Sequence, residues 1–173
     1  MTTPPAPAMT GCVRVEFLAD RSDAIPQLAR WLCAAWPEAT GDDTAALERR
    51  LGGWRHRRIL PLGLAAVDPT AALLGFAALE HGKSPSGEPV VLLSTVFVAP
   101  WGRRQGTGKA LCTTARAQAA RLGHGTVHLY TANAAPFFLR LGWRFVCHAL
   151  IGTHARPRAI SFMQAYAAGD RGG

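Results

Sequence analysis

The chain has 173 residues, with 19 Lys+Arg against 11 Asp+Glu, a formal net charge of +8, and 49% hydrophobic against 17% charged residues. That length suits one domain, or at most two small ones, with a substantial core, and the composition excludes a disordered chain. The most nearly uncharged stretch, Ile59 to Leu79, is broken by Asp68 and two prolines, which excludes a membrane-spanning helix. Cys12, Cys33, Cys112 and Cys147 lie far apart with no C-x-x-C, so neither a disulfide scaffold nor a zinc knuckle is expected, and the default setting is cytoplasmic.

The opening MTTPPAPAMT has neither a basic nor an apolar signal region, and residues 1–10 read as a flexible tail before a domain over residues 11–168 and a short tail at 169–173. Cys12 to Leu18 alternates apolar and polar residues, the pattern of a half-buried strand. Ile25, Leu28, Ala29 and Leu32 recur at helical spacing up to Trp36-Pro37. Thr40-Gly41-Asp42-Asp43 is a break and a second helix cap, followed by a short helix through Leu47 and Leu51 that Gly52-Gly53 ends. Pro61 to Val67 and Ala71 to Glu80 read as strands around Asp68-Pro69-Thr70, and His81 to Pro89 as a loop. Val90 to Val98 is nearly all apolar and rich in β-branched residues, so a central strand buried on both faces is expected. A helix over Gly106 to Leu122, a strand over Thr126 to Tyr130, a short helix over Ala134 to Leu141 and a closing pair, Trp143 to Leu150 with Ala159 to Ala165, complete the chain. The order is that of one α/β domain around a mixed sheet of about seven strands flanked by about four helices.

The basic balance asks for an acidic partner or a solvated face. Arg49, Arg50, Arg55, Arg57 and Arg58 cluster, but only Trp54 is interleaved among them, a thin platform for stacking bases, so nucleic acid is the weakest of the readings. The six histidines show no metal-ligand spacing, and no metal is expected; His128 alternates with Tyr130 along a strand and reads as scaffold.

The richest stretch is Val96-Phe97-Val98-Ala99-Pro100-Trp101-Gly102-Arg103-Arg104-Gln105-Gly106-Thr107-Gly108-Lys109-Ala110-Leu111. A strand runs into a turn, two closely spaced glycines and a helix, so free amides at the positive end of the helix dipole face outward. Arg103, Arg104 and Lys109 add charge, and the arrangement suits a pyrophosphate. A Walker A loop is excluded, because Arg103 stands where its first glycine belongs and Ala110 where its hydroxyl belongs; a dinucleotide fingerprint would need glycine at Leu111.

The run Arg103-Arg104-Gln105-Gly106-Thr107-Gly108 resembles motif A of the GNAT superfamily, the acyl-CoA-dependent N-acyltransferases, and Leu129 to Trp143, with Phe137-Phe138-Leu139-Arg140-Leu141-Gly142-Trp143, resembles their motif B. The resemblance covers Arg14 to Tyr166, and the segment with Leu28-Ala29-Arg30-Trp31 and Trp36-Pro37 resembles a bacterial branch of unassigned substrate. It implies acetyl-CoA as cosubstrate, with the backbone of Val96, Phe97 and Val98 along the pantetheine arm. It further implies the pyrophosphate on the amides of Arg104, Gln105, Gly106, Thr107, Gly108 and Lys109, with Arg103 beside them, and a backbone amide near Val98 for the oxyanion. Asn133 either caps the motif B helix or bonds the pantetheine. The usual tyrosine acid, four residues before the motif B glycine, is here Phe138, so the thiolate leaves unaided, another group such as Tyr130 or Cys147 substitutes, or the protein binds CoA as a sensor with little turnover. Glu80 and His81 are the candidates for the base, and Trp31, Trp36 and Trp54 either line the acceptor cleft or pack. The expected activity is transfer of an acetyl group to a primary amine of a small molecule, peptide N-terminus or lysine by direct attack; a homodimer is compatible with the resemblance.

Overall fold

The computed structural model describes residues 12–153 and 156–167; the tails expected at 1–10 and 169–173 lie outside the described residues. Strand β1, Arg14–Phe17, leads through two 3-10 turns into α1, Ile25–Ala35, which carries Pro26 in its first turn, where a missing amide costs nothing. α1 buries Leu28, Ala29, Leu32 and Cys33 along one stripe. A single turn, α2 (Pro37–Thr40), raises the helix number to five, one more than expected. Then Asp43 caps α3 (Thr44–Gly52), its carboxylate accepting from the Ala46 amide at 2.8 Å.

Seven strands make one sheet in the order β1-β2-β3-β4-β5-β7-β6, with β2 at Leu62–Val67, β3 at Leu73–Lys83, β4 at Pro89–Val98, β5 at Thr126–Thr131, β6 at Arg144–Thr153 and β7 at Arg156–Tyr166. Every neighbouring pair is antiparallel except β4 with β5. One face packs on α4 (Thr107–Arg121) and on α5 (Ala135–Arg140), through Leu111, Cys112, Ala115, Phe138 and Trp143. The other face packs on α1 and α3 through Leu28, Leu32, Leu51, Trp54 and Phe76. All six residues of β2 are buried, as a strand covered on both faces should be.

Two expectations change. The stretch from His81 is not loop: β3 runs on to Lys83 and β4 begins at Pro89, leaving a tight connection held by the Ser84 amide on the Glu88 carbonyl and the Gly87 amide on the Ser84 carbonyl. Alternating Gly82 and Lys83 hide the strand from a reading by composition. β4 is not buried on both faces either. Only Val91 and Leu93 are buried, and everything from Ser94 to Val98 is half-exposed.

The reason lies in β5. β4 and β5 stand in register at the single pair Leu92 and His128, and beyond it they part. A bulge adds to the divergence, since Ser94 pairs with Ala78 and Phe97 with Phe76, leaving Thr95 and Val96 opposite Ala77 alone. Thr95 takes φ +54°, a left-handed conformation unusual for a β-branched residue.

Candidate active site

Where β4 and β5 part, a cleft of about 980 Å³ opens. One wall is β4 from Leu93 to Val98, the other is Leu129 to Ala134 with Phe137 and Phe138 of α5, and one end is the glycine loop before α4. Phe97 and Trp36 stand at the α1 side of the opening.

The loop is fastened from behind so that its amides face the cleft. The Trp101 indole donates to the Leu73 carbonyl at 3.3 Å, the Gln105 side-chain amide to the Trp101 carbonyl at 2.7 Å, and the buried Thr107 hydroxyl to the Gly102 carbonyl at 2.6 Å. Arg104 (φ +60°) and Gly106 (φ +80°) both adopt the left-handed conformation that turns successive amides the same way. Among the described residues, the amides of Gly106, Thr107, Gly108 and Lys109 meet no backbone acceptor, as expected of a helix's first turn. Gly108 is needed for a second reason: a Cβ there would lie 2.9 Å from the Phe137 ring, so glycine lets α4 and α5 meet beside the loop. Arg103, Arg104, Lys109 and Arg140 bring four cationic side chains to the cleft, and Arg103 Nε also donates to the Val98 carbonyl at 3.3 Å. The residues present therefore fit a strongly anionic, extended ligand, with amides and cations at one end and an open strand along its length.

Most of the residues singled out in the sequence meet at this cleft: Val96, Phe97, Val98, Arg103, Arg104, Gly106, Thr107, Gly108, Lys109, Asn133 and Phe138 all line it. Gln105 belongs to the loop, but its side chain is spent on the Trp101 carbonyl. The alternative left open for Asn133 closes on one side. α5 is capped at Ala134 without a side-chain bond, and the Ala134 amide donates instead to the Thr131 hydroxyl at 3.0 Å, leaving the Asn133 side chain to the cleft. Phe138 is 5% exposed and packs edge-on against Phe137 and Trp143, with ring centroids 5.1 and 5.7 Å away.

Glu80 and His81 do not line the cleft. Glu80 faces the α3 side, its carboxylate 3.6 Å from the Arg50 guanidinium, while His81 faces the opposite side, where its ring stands 6.3 Å from that of His124 beyond the end of α4. The Arg cluster is largely occupied by its own scaffold: Arg50 lies over the Trp54 ring and against Glu80, and Arg57 over Phe17 and against Asp20. Of the tryptophans, Trp54 is buried against Phe76, Trp31 packs between Phe97 and Trp101, and Trp36 reaches the cleft. Tyr130 reaches it too, but its hydroxyl donates to the Lys83 carbonyl at 2.7 Å, and burial, with the nearby Cys147, pushes its pKa up. Cys147, the other substitute considered for the missing acid, lies on β6 and does not line the cleft.

One scaffold residue, His128, is half-buried on β5 in alternation with Tyr130 as expected, and has a further feature of position. His128 stands at the point where β4 and β5 part, half-buried, stacked on Phe162 with centroids 5.2 Å apart. Burial pushes its pKa below the ordinary value, partly countered by the Val91 carbonyl and the Gln164 amide. Nothing in its alternation with Tyr130 could signal this, because the pairing partner across the sheet is invisible along the chain. Among the described residues no cluster of His, Cys, Asp and Glu is placed to hold a metal ion, and no helix is long and apolar enough to cross a membrane.

A mixed sheet opening between a bulged fourth strand and its parallel neighbour, over a glycine loop at a helix N-terminus, is the GNAT-like fold that the sequence led us to expect. Residues 64–145 match the family model described as "Acetyltransferase (GNAT) domain". The fold is shared with an aminoglycoside 6'-N-acetyltransferase complexed with coenzyme A, at TM-score 0.70 and 17% identity over 93% of this chain and 99% of that one. It is also similar to a phosphinothricin acetyltransferase from Sinorhizobium meliloti in complex with AcCoA (0.66, 21%, 91% and 89%) and to a spermidine N-acetyltransferase from Vibrio cholerae in complex with CoA and spermine (0.65, 16%, 90% and 96%). No curated protein matches the sequence.

Proposed function

We propose that the protein transfers an acetyl group from acetyl-CoA to a primary amine by direct attack. The observation that carries this reading is the parting of β4 from β5 beside the glycine loop. It leaves the stretch Val96 to Val98 without a strand partner on the cleft side and brings the first amides of α4, with Arg103, Arg104 and Lys109, to the cleft's end. Acetyl-CoA supplies the thioester, whose carbonyl carbon is the electrophile. Its pantetheine arm would lie along Val96, Phe97 and Val98 as an added strand, bonded on the other side by Asn133, and its pyrophosphate on the amides of Arg104 to Lys109. A β4 amide near Val98 would hold the oxyanion.

Phe138 has no proton to give, and the Tyr130 hydroxyl is engaged elsewhere, so the thiolate leaves without a side-chain acid. A CoA thiol is acidic enough for this to slow the reaction rather than prevent it. The setting for the reaction is the cytoplasm, where thiols stay reduced and acetyl-CoA would be at hand.

Calorimetric titration with acetyl-CoA and CoA, followed by thiol release with a panel of amines, tests the reading. Micromolar binding and amine-dependent release are expected. Binding without release under any amine would leave a CoA sensor, and binding of neither ligand would overturn the assignment of the loop.

A further inference from the structure

Where β4 and β5 meet, at the edge of the cleft, stand two polar side-chain atoms that no other group in the protein satisfies. Ser94 Oγ and His128 Nδ1 are both fully buried and both without a hydrogen-bond partner. A buried polar atom left unpaired costs stability, so two across one seam call for a shared partner. A water between them would serve both. Leu92 and His128 are register partners and so point to one face of the sheet; Ser94, two residues after Leu92 and still before the bulge, points to that face as well. The two side chains thus stand diagonally across the seam at the place where the strands part, and Ser94 also lines the cleft.

We propose that His128, through a water held between its Nδ1 and Ser94 Oγ, receives the proton that the acceptor ammonium must lose before it attacks. This rests on the acetyl-transfer reading and adds to it the group that the sequence left unassigned. In the step, one N–H bond of the ammonium breaks, its proton passes to the water, and a water proton passes to Nδ1, giving a neutral amine and an imidazolium. The amine nitrogen then bonds to the thioester carbon, the carbonyl electron pair moves to oxygen, and its return breaks the C–S bond. The thiolate takes up the amine's second proton, and the imidazolium releases the first to solvent.

The surroundings favour a neutral ring at rest. Facing His128 are the Val91 carbonyl on β4 and the Phe162 ring and Gln164 side-chain amide on β7, while Tyr130, on its own strand, packs on the same Phe162 ring and gives its hydroxyl to the Lys83 carbonyl. The charged groups of its row are Glu80, beyond Leu92 and paired with Arg50, and Arg144, beyond Gln164. The depressed pKa keeps Nδ1 free to accept at neutral pH, and activity should fall only as pH drops through a value below 6.5.

A crystal structure of the protein at a resolution that shows waters should place one within hydrogen-bond distance of both Ser94 Oγ and His128 Nδ1; an empty gap would overturn the proposal. With an amine from the panel, His128→Gln should lower kcat about a hundredfold, leave the KM for acetyl-CoA nearly unchanged and abolish the acid limb of the pH profile. Ser94→Ala should lower kcat about tenfold while keeping that limb, because a less ordered water still reaches the ring. Calorimetry on both variants checks that acetyl-CoA still binds. Loss of binding by the unaltered protein would sink the transfer reading, whereas intact binding with an unmoved pH profile in His128→Gln would sink this inference alone.

Discussion

Phe138 marks the sharpest contrast with the family pattern, and its surroundings decide what a hydroxyl there would do. The ring is held edge-on by Phe137 and Trp143 while one side faces the cleft. A Phe138→Tyr variant keeps those contacts and adds an O–H at the end of the ring. If that end points to the departing sulfur, kcat should rise by about tenfold, with acetyl-CoA affinity within about threefold of the original. A drop in melting temperature without a gain in kcat would mean that the hydroxyl is buried against the core instead. At this scale the sequence was informative wherever the backbone does the work: glycines and a threonine in the loop need no partner elsewhere to be recognised. Glu80 and His81 show the limit. Adjacent in sequence, they point to opposite faces of a strand, one to Arg50 and one toward His124, and neither reaches the cleft.

At the level of elements, the opening depends on how closely β3 lies under the end of β4. A Cβ on Gly75 would come within 2.5 Å of the Phe97 carbonyl, and Gly75 pairs with Val98 immediately after the bulge. Gly75→Ala must push the strand end aside, because the nearest atom is backbone and cannot rotate away. Stability should fall by about 1–3 kcal/mol in urea unfolding, and acetyl-CoA affinity should fall at least tenfold as the Phe97–Val98 backbone shifts. An unchanged affinity would show that the cleft wall tolerates displacement. The order of strands and helices was legible because each is bounded by its own turn residues, such as Asp43 before α3. The exposure of β4 was not: its composition is that of a strand covered on both faces, and only the departure of β5, a long-range event, uncovers it.

For the whole molecule, two groups of cations within the net charge of +8 differ in their surroundings. Arg103, Arg104, Lys109 and Arg140 converge on the cleft, while Arg50 and Arg57 are tied to acidic and aromatic neighbours of their own scaffold. Acetyl-CoA binding should therefore weaken with salt, through screening at the cleft alone. A neutral, pantetheine-like fragment should show no such dependence, and an equal dependence for both would contradict this sorting.

The single register pair Leu92–His128 has a mechanical meaning. Strands β1 to β4 form one slab and β5, β7 and β6 another, stitched at one point and spanned by α4. An extended ligand seated in the gap would act as a zip, letting strain and stability pass from slab to slab. Without it, hydrogen exchange should report two blocks with separate protection; with it, the amides of residues 95–98 should slow together with those of β5. Saturation at a hundred times Kd should add about 2.7 kcal/mol to both slabs at once. The ligand would then be the last strand of the sheet, lent to the protein for the length of one turnover.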